Sequence, residues 1–263
     1  MGLGDEIMVT GEARRVQMRD PRPVAVAGRD GRARWHPLWH GNPRIAAPRE
    51  VAAGRAVQWI VNGPGRRPYI DDQAMARGPR APWRFTAWRA TPGELPCVPR
   101  RPPAGYVVVE PHLKPGASPN KQWGWANWQA LVGLMPRVDW VQLGPPGMRV
   151  LEGAVHIPTP SFIEAGSALS GAAAAVLPDG GLHHAAAALG VPAVVIFGGF
   201  TSPANLGYDG HVNLFDPADG QSPCGERVPC AHCRRVLAAI RPETVAAHLE
   251  RILNDGVARA RAG

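Results

Sequence analysis

Between residues 106 and 198 this chain repeats one pattern, a short unbroken apolar run followed by a helical stretch. The runs are YVVVE (106–110), DWVQLG (139–144), AAAVLP (173–178) and PAVVIFG (192–198). Helical patterning fills 125–135, the region near 161–171, and 181–189, and a capped helix, RPETVAAHLERILND (241–255), closes the series. Strands that are apolar on both faces must be covered on both faces, and strand–helix alternation joins them in parallel. The pattern predicts an α/β fold whose ligands bind beyond the carboxyl ends of the strands.

The first half of the chain is more interrupted. DEIMVTGEARRVQ (5–17) reads as a helix, and VAVAG (24–28), RIAA (44–47) and VQWIV (57–61) read as strands. The stretch 76–104 is rich in Pro, Arg and Trp without periodicity and reads as a connection. The expected division is a small, atypical N-terminal domain at 1–103 and a larger C-terminal domain at 104–263. No apolar run is long enough to span a membrane, and the start, MGLGDEIMVTGEARR, lacks the layout of a secretory signal. The expected location is cytoplasmic, with contact at the inner membrane face left open. A net charge of +8 raises nucleic acid or an anionic surface as a partner. The arginines, however, are scattered in pairs such as Arg14–Arg15 and Arg100–Arg101, the usual form of a solvated face.

Against 27 arginines stand only two lysines, both in HLKPGASPNKQW (112–123). A strand precedes this loop and a helix follows it. Free N–H groups and the positive end of a helix attract an anion, and an ammonium adds a point charge. Gly116, Ser118 and Lys121 are therefore candidate phosphate-binding residues. In PDGGLHHAAAALGVPAVVIFGGFTSP (178–203) a strand ends at Pro178, and Asp179, Gly180 and Gly181 lead into a helix carrying His183 and His184. Glycines let backbone approach a ligand, and a second glycine-bearing turn ends the next strand. Three strand ends of one sheet would converge on one anionic ligand, in outline a nucleoside diphosphate.

The PGAS–Lys-x-Trp loop, the Asp-x-Gly-x-x-His-x-Ala-x-Ala-Leu-Gly-x-Pro run and the Phe-Gly turn resemble glycosyltransferase family 9, which contains the ADP-heptose:lipopolysaccharide heptosyltransferases. The opening GLGDEIMVTGEARR is similar to that family's Gly-Asp element. The resemblance covers most of residues 104–250. It implies a GT-B fold, two Rossmann-like domains facing a cleft, and inverting transfer of a sugar from a nucleotide-diphosphate donor, ADP-linked by preference, without a catalytic metal. It also implies roles: Lys121 and His184 near the donor phosphates, Asp179 against the donor, Gly181 close to the diphosphate, and Asp5 as general base facing the acceptor hydroxyl. Three departures stand out. Only Met1 precedes Gly2, where the family has a strand. Gly180 replaces a hydroxyl residue, and PPGMR follows DWVQLG without an acid to hold a ribose. Asp5 and Asp179 could equally cap their helices, and His183 reads as structural. The acceptor could be an acidic glycan such as a lipopolysaccharide core, another hydroxyl compound, or DNA. A non-catalytic nucleotide-sugar-binding module and a nucleic-acid-binding protein are the competing readings.

CGERVPCAHC places Cys224, Cys230 and Cys233 at metal-ligand spacing, with His232 or the distant Cys97 as fourth ligand. A structural zinc or iron ion is one reading of this cluster; reduced thiols without metal, or an occasional disulfide, are the other.

Overall fold

The computed structural model describes residues 2–28, 30–63, 66–71, 81–215 and 220–262. Residues 76–80 of the expected connection lie outside the described residues.

A six-stranded parallel sheet forms the larger part of the molecule, with β3 (Val107–Val109), β4 (Trp140–Gly144), β5 (Ala154–Pro158), β6 (Ala174–Pro178), β7 (Ala193–Ile196) and β8 (His211–Leu214) in the order β5-β4-β3-β6-β7-β8. Successive side chains of a strand point to opposite faces, so each strand feeds two cores. Val107, Val109, Val176 and Ile196 pack with α3 (Trp125–Leu134) and the C-terminal α8 (Pro242–Ala262). Val108, Ala175, Leu177 and Val195 pack with α4 (Phe162–Ser170) and α5 (Gly181–Leu189). The capped helix of the sequence reading therefore extends further, to Ala262. The short helices α6 (Pro203–Leu206) and α7 (Ala231–Ala239) complete this half.

Ahead of it come α1 (Leu3–Gln17), β1 (Val24–Ala27), α2 (Pro48–Ala52) and β2 (Gln58–Val61). β1 and β2 make a separate two-stranded parallel sheet. The expected strand RIAA is not one: Ile45 makes only an isolated bridge to Val24. Pro43 and Pro48 flank the segment and deny it ladder donors at both ends. Helix α1 does not stay with its own sheet. Its Ile7, Met8 and Val9 share one core with Leu177, Ala185 and Ala186 of β6 and α5. Glycines permit the approach, since a Cβ on Gly4 would collide with the His184 ring.

Candidate active site at the meeting of two helix starts

Two buried residues flank Lys121 and fix it. Asn120 donates to the carbonyls of Glu226 and Val228 at 2.7 and 2.8 Å, and Trp123 donates through Nε1 to the Ile240 carbonyl at 2.7 Å. Between them the Lys121 ammonium reaches the end of β6, lying 2.6 Å from Asp179 Oδ2 and 3.3 Å from the Asp179 carbonyl. The Thr201 hydroxyl donates to the same carboxylate oxygen. Asp179 is almost fully buried. Burial alone would push its pKa up; the Lys121 ammonium, with the Thr201 hydroxyl, outweighs burial and holds the carboxyl well below the usual carboxylate range. An ammonium has three N–H donors, and Asp179 takes two of them. Among the described residues no hydrogen-bond acceptor takes the third, and the side chain is still 19% exposed.

Helix α5 begins immediately beyond Asp179. Its Gly181 lies against the start of α1, a Cβ there falling 3.6 Å from both Gly4 N and Leu3 Cβ. The N-termini of α1 and α5 thus meet beside Lys121, and both present positive partial charge to one place. Lys114 arrives from the other end of the same loop, its Nζ 3.2 Å from the point a Gly2 Cβ would occupy. Lys114 is thus the second cation of this loop to reach the meeting point of the two helices.

Asp5 stands in the first turn of α1. It accepts from Gly2 N at 3.0 Å, Arg67 Nε at 3.1 Å and Tyr69 Oη at 2.6 Å, so it caps its helix and also anchors the 66–71 segment. Nothing in the sequence pattern linked Arg67 and Tyr69 to it.

Gly180, His184 and Ser118, all expected at the donor, each hold a contact within the protein. The Gly180 N–H goes to His183 Nδ1 at 3.0 Å. His183 Nε2 then donates to the Leu206 carbonyl at 2.9 Å, which fixes a neutral ring with both nitrogens used. Burial lowers its pKa and keeps that state, despite the neighbouring Asp179. His183, His184 and Asp179 lie close enough to suggest a metal triad, but His183 has no lone pair to give and Asp179 is held by Lys121. His184 is buried between α1 and α5 with Nδ1 2.6 Å from Tyr208 Oη. Burial and the His183 ring hold it well below the ordinary imidazole value. It fastens the two helices rather than facing outward. Ser118 caps the short turn before Lys121 by accepting from Asn120 N, and Gly116 supplies a left-handed turn at φ 74° in open space.

Next to β6 the strand ends of β3 and β4 carry a second group. Glu110 accepts from His112 N at 2.8 Å and lies 3.1 Å from His112 Nδ1, and burial raises its pKa. The Arg149 guanidinium sits 3.9 Å over the Trp125 ring, whose other neighbour is His112 at 5.6 Å. Gln142 holds the Arg149 carbonyl and Leu151 N at 2.8 and 3.0 Å. An acid is absent from PPGMR after β4, but Glu110 stands at the end of the neighbouring β3.

The cysteines divide. Ligand atoms of Cys224, Cys230, His232 and Cys233 all lie within 4.8 Å of one another. Cys97 is not among them; it packs against the other core and donates to the Leu38 carbonyl at 3.3 Å, so His232 takes the fourth place. His232 Nε2 is 3.1 Å from Ser222 Oγ, leaving Nδ1 to face Cys233 Sγ at 3.9 Å. A ligating imidazole commonly hydrogen-bonds through its other nitrogen in this manner. The hydrogen bond from Cys233 holds the Cys224 thiol down at about 5, with Sγ–Sγ 3.2 Å. Three sulfurs and one imidazole suit tetrahedral zinc or iron, so the residues fit a structural ion.

Comparisons with solved structures decide the architecture. A family 9 glycosyl transferase from Veillonella parvula superposes with TM-score 0.63 at 14% identity, covering 97% of this chain and 95% of that one. The chain has the fold of the family 9 glycosyltransferases. The same fold relates it to the iron-containing dodecameric glycosyltransferase TibC of enterotoxigenic E. coli (TM-score 0.68, 16% identity, 97% and 74% coverage). It also relates it to E. coli ADP-heptose lps heptosyltransferase II (TM-score 0.59, 15% identity, 97% and 96% coverage). In sequence, lipopolysaccharide heptosyltransferase 1 of Pseudomonas aeruginosa is 33% identical over 133 residues, 46% of this chain. The match spans about a third of that protein's length, 35%. No family model matches the chain. Family 9 architecture thus brings together the Lys121 loop, the start of α5 and the start of α1, the three elements that the motifs single out. Among the described residues no helix is long and apolar enough to cross a membrane.

Proposed function

We propose that this chain is a glycosyltransferase that moves a sugar from a nucleoside-diphosphate sugar to a hydroxyl acceptor with inversion. The observation that carries the proposal is the Lys121 ammonium, held by Asp179 with one donor free, where two helix starts meet. A diphosphate leaving group gains negative charge as the glycosidic bond breaks, and preorganised donors stabilise it there. Lys121 and the first-turn amides of α5 supply those donors, and Lys114 adds charge from the side.

Asp5 is the proposed base. A carboxylate offers about four lone-pair sites, and Gly2, Arg67 and Tyr69 take three of those on Asp5. The remaining one can receive the acceptor hydroxyl proton. The acceptor oxygen bonds to the anomeric carbon from the face opposite the diphosphate, the carbon–oxygen bond to the diphosphate breaks, and its electron pair stays on the leaving phosphate.

The nucleoside end would lie across the sheet. Neighbouring strands are about 4.8 Å apart, so two strand spacings carry a ligand from Asp179 past Glu110 to the Trp125–Arg149 stack. Glu110 would accept from ribose hydroxyls, and Trp125 with Arg149 would offer a platform to the base. ADP is the preferred nucleotide because solved relatives of this fold contain ADP (E. coli heptosyltransferase WaaC) or ADP-D-beta-D-heptose (TibC). A heptose-like sugar and a lipopolysaccharide-type acceptor are suggested by the heptosyltransferases it is similar to, and acceptor encounter at the cytoplasmic membrane face is part of the same proposal. In this reading 1–103 forms the acceptor side and 104–263 the donor side. A structural zinc or iron ion would sit on Cys224, Cys230, His232 and Cys233, outside the chemistry.

The occupied state of Asp5 favours one alternative, a nucleotide-sugar-binding module without turnover. Thermal unfolding with ADP, UDP, GDP and CMP, followed by turnover of the matching sugar donor, separates the readings. Stabilisation by one nucleoside diphosphate together with donor consumption is expected. Stabilisation without consumption would leave the binding module, and no stabilisation by any nucleotide would remove both.

A further inference from the structure

The cysteine loop touches both halves of the proposed site through one aromatic side chain. Cys224 N donates to the Gly199 carbonyl at 2.9 Å and Gly225 N to the Phe200 carbonyl at 3.2 Å, so the loop is sewn onto the turn that ends β7. The Gly225 carbonyl in turn receives Trp83 N at 2.9 Å. Gly225 has φ 65°, and a Cβ there would collide with the Trp83 backbone, so no other residue type fits the junction.

Trp83 then spreads the contact. Its ring lies 5.3 Å from Phe200, and the Phe200 ring carries the Lys121 ammonium 5.5 Å away. The Arg67 guanidinium also sits over the Trp83 ring, 5.2 Å from its centroid, with Arg227 at 5.6 Å. Arg67 is the residue that donates to Asp5. A continuous path therefore runs from Cys224 through Gly225 and Trp83 to Arg67 and Asp5. At the cluster end the path is tightly packed, because a Cβ on Gly199 would collide with the His232 ring.

We infer that Trp83 is a positioning residue: it transmits the closure of the Cys224–Cys233 loop to Arg67, and through Arg67 it sets the Asp5 carboxylate. The inference rests on the transferase reading only for its kinetic consequence. A cation over an aromatic face is held in orientation as well as in place, so loss of the ring frees Arg67 while Asp5 keeps its own helix.

The test is amide hydrogen exchange on the full chain, comparing wild type with Trp83→Ala, Trp83→Phe, Gly225→Ala and Cys224→Ser. Exchange of residues 66–71 should rise about tenfold in Trp83→Ala, Gly225→Ala and Cys224→Ser, while 174–189 stays protected. Trp83→Phe, which keeps a ring between Phe200 and Arg67, should stay within about threefold of wild type. In donor hydrolysis, Trp83→Ala should lower kcat about tenfold with donor KM within about threefold, and Trp83→Phe should restore kcat. Unchanged exchange at 66–71 in both Gly225→Ala and Cys224→Ser overturns the coupling. Should wild type consume no donor, the transferase reading falls and the exchange result still decides this one.

Discussion

At the residue scale the decisive pair is Lys121 with Asp179. Both are largely out of water, and removing one partner of a buried pair leaves an uncompensated charge at a cost of roughly 3–5 kcal/mol. Lys121→Ala should therefore lose stability on that order as well as nucleotide affinity, read by urea unfolding and calorimetry. The double variant Lys121→Ala/Asp179→Asn should recover most of the stability and none of the affinity. Equal loss in the single and double variants would mean that Asp179 does not depend on Lys121. The lysine was legible because outside its own loop every basic Lys/Arg position of the chain is arginine. Its partner was legible from the strand-end motif, but their ion pair was not, because 58 residues separate them. Arg67 and Tyr69 were invisible for the same reason: their tie to Asp5 exists only once α1 packs beside them. His184 shows the converse case, a motif residue whose position between two helices makes it a fastener.

At the element scale the close approach of α1 to its neighbours depends on glycine. A Cβ on Gly4 would overlap the His184 ring, and one on Gly11 would overlap the Thr91 carbonyl. Overpacking of this kind costs roughly 1–3 kcal/mol, so Gly4→Ala and Gly11→Ala should lower the unfolding midpoint. Gly133, inside α3 with nothing within 4 Å, is the contrasting site. There alanine should add roughly 0.5–1 kcal/mol by restricting the unfolded chain. Thermal unfolding of the three variants checks both signs; a destabilised Gly133→Ala would show that the face is covered. Apolar runs made β3, β4, β6 and β7 readable, since both their faces are buried. The outer strands β5 (AVHIP) and β8 (HVNL) mix polar residues because an edge strand has less to bury, and the sequence reading passed over them. RIAA failed as a strand because Pro43 and Pro48 close in on it and leave a single bridge, Ile45 to Val24 at the start of β1.

At the scale of the whole molecule, acid should unfold this protein earlier than its carboxylates alone would suggest. His183, His184 and His211 are buried at the joint between α5, α6 and the last strands, and burial lowers all three, His211 to about 4. In the unfolded chain each returns to about 6.5. A depressed histidine contributes stability that is complete above the unfolded value and is lost as pH falls through the window down to the folded value, because the unfolded chain binds the proton first. For His211 alone the loss between pH 7 and about 5.5 is roughly 1 kcal/mol, and the lowered His183 and His184 add to it in the same direction. Glu110 works in the opposite sense, since burial raises it, but it is one group against three. The check is urea midpoint against pH for wild type and His211→Gln. Wild type should lose stability steadily from pH 6.5 downward, and His211→Gln should show a shallower slope, whatever its stability at pH 7. A flat profile in wild type would mean that these rings accept protons in the folded state, and the neutral His183 bridging Gly180 and Leu206 would then be wrong.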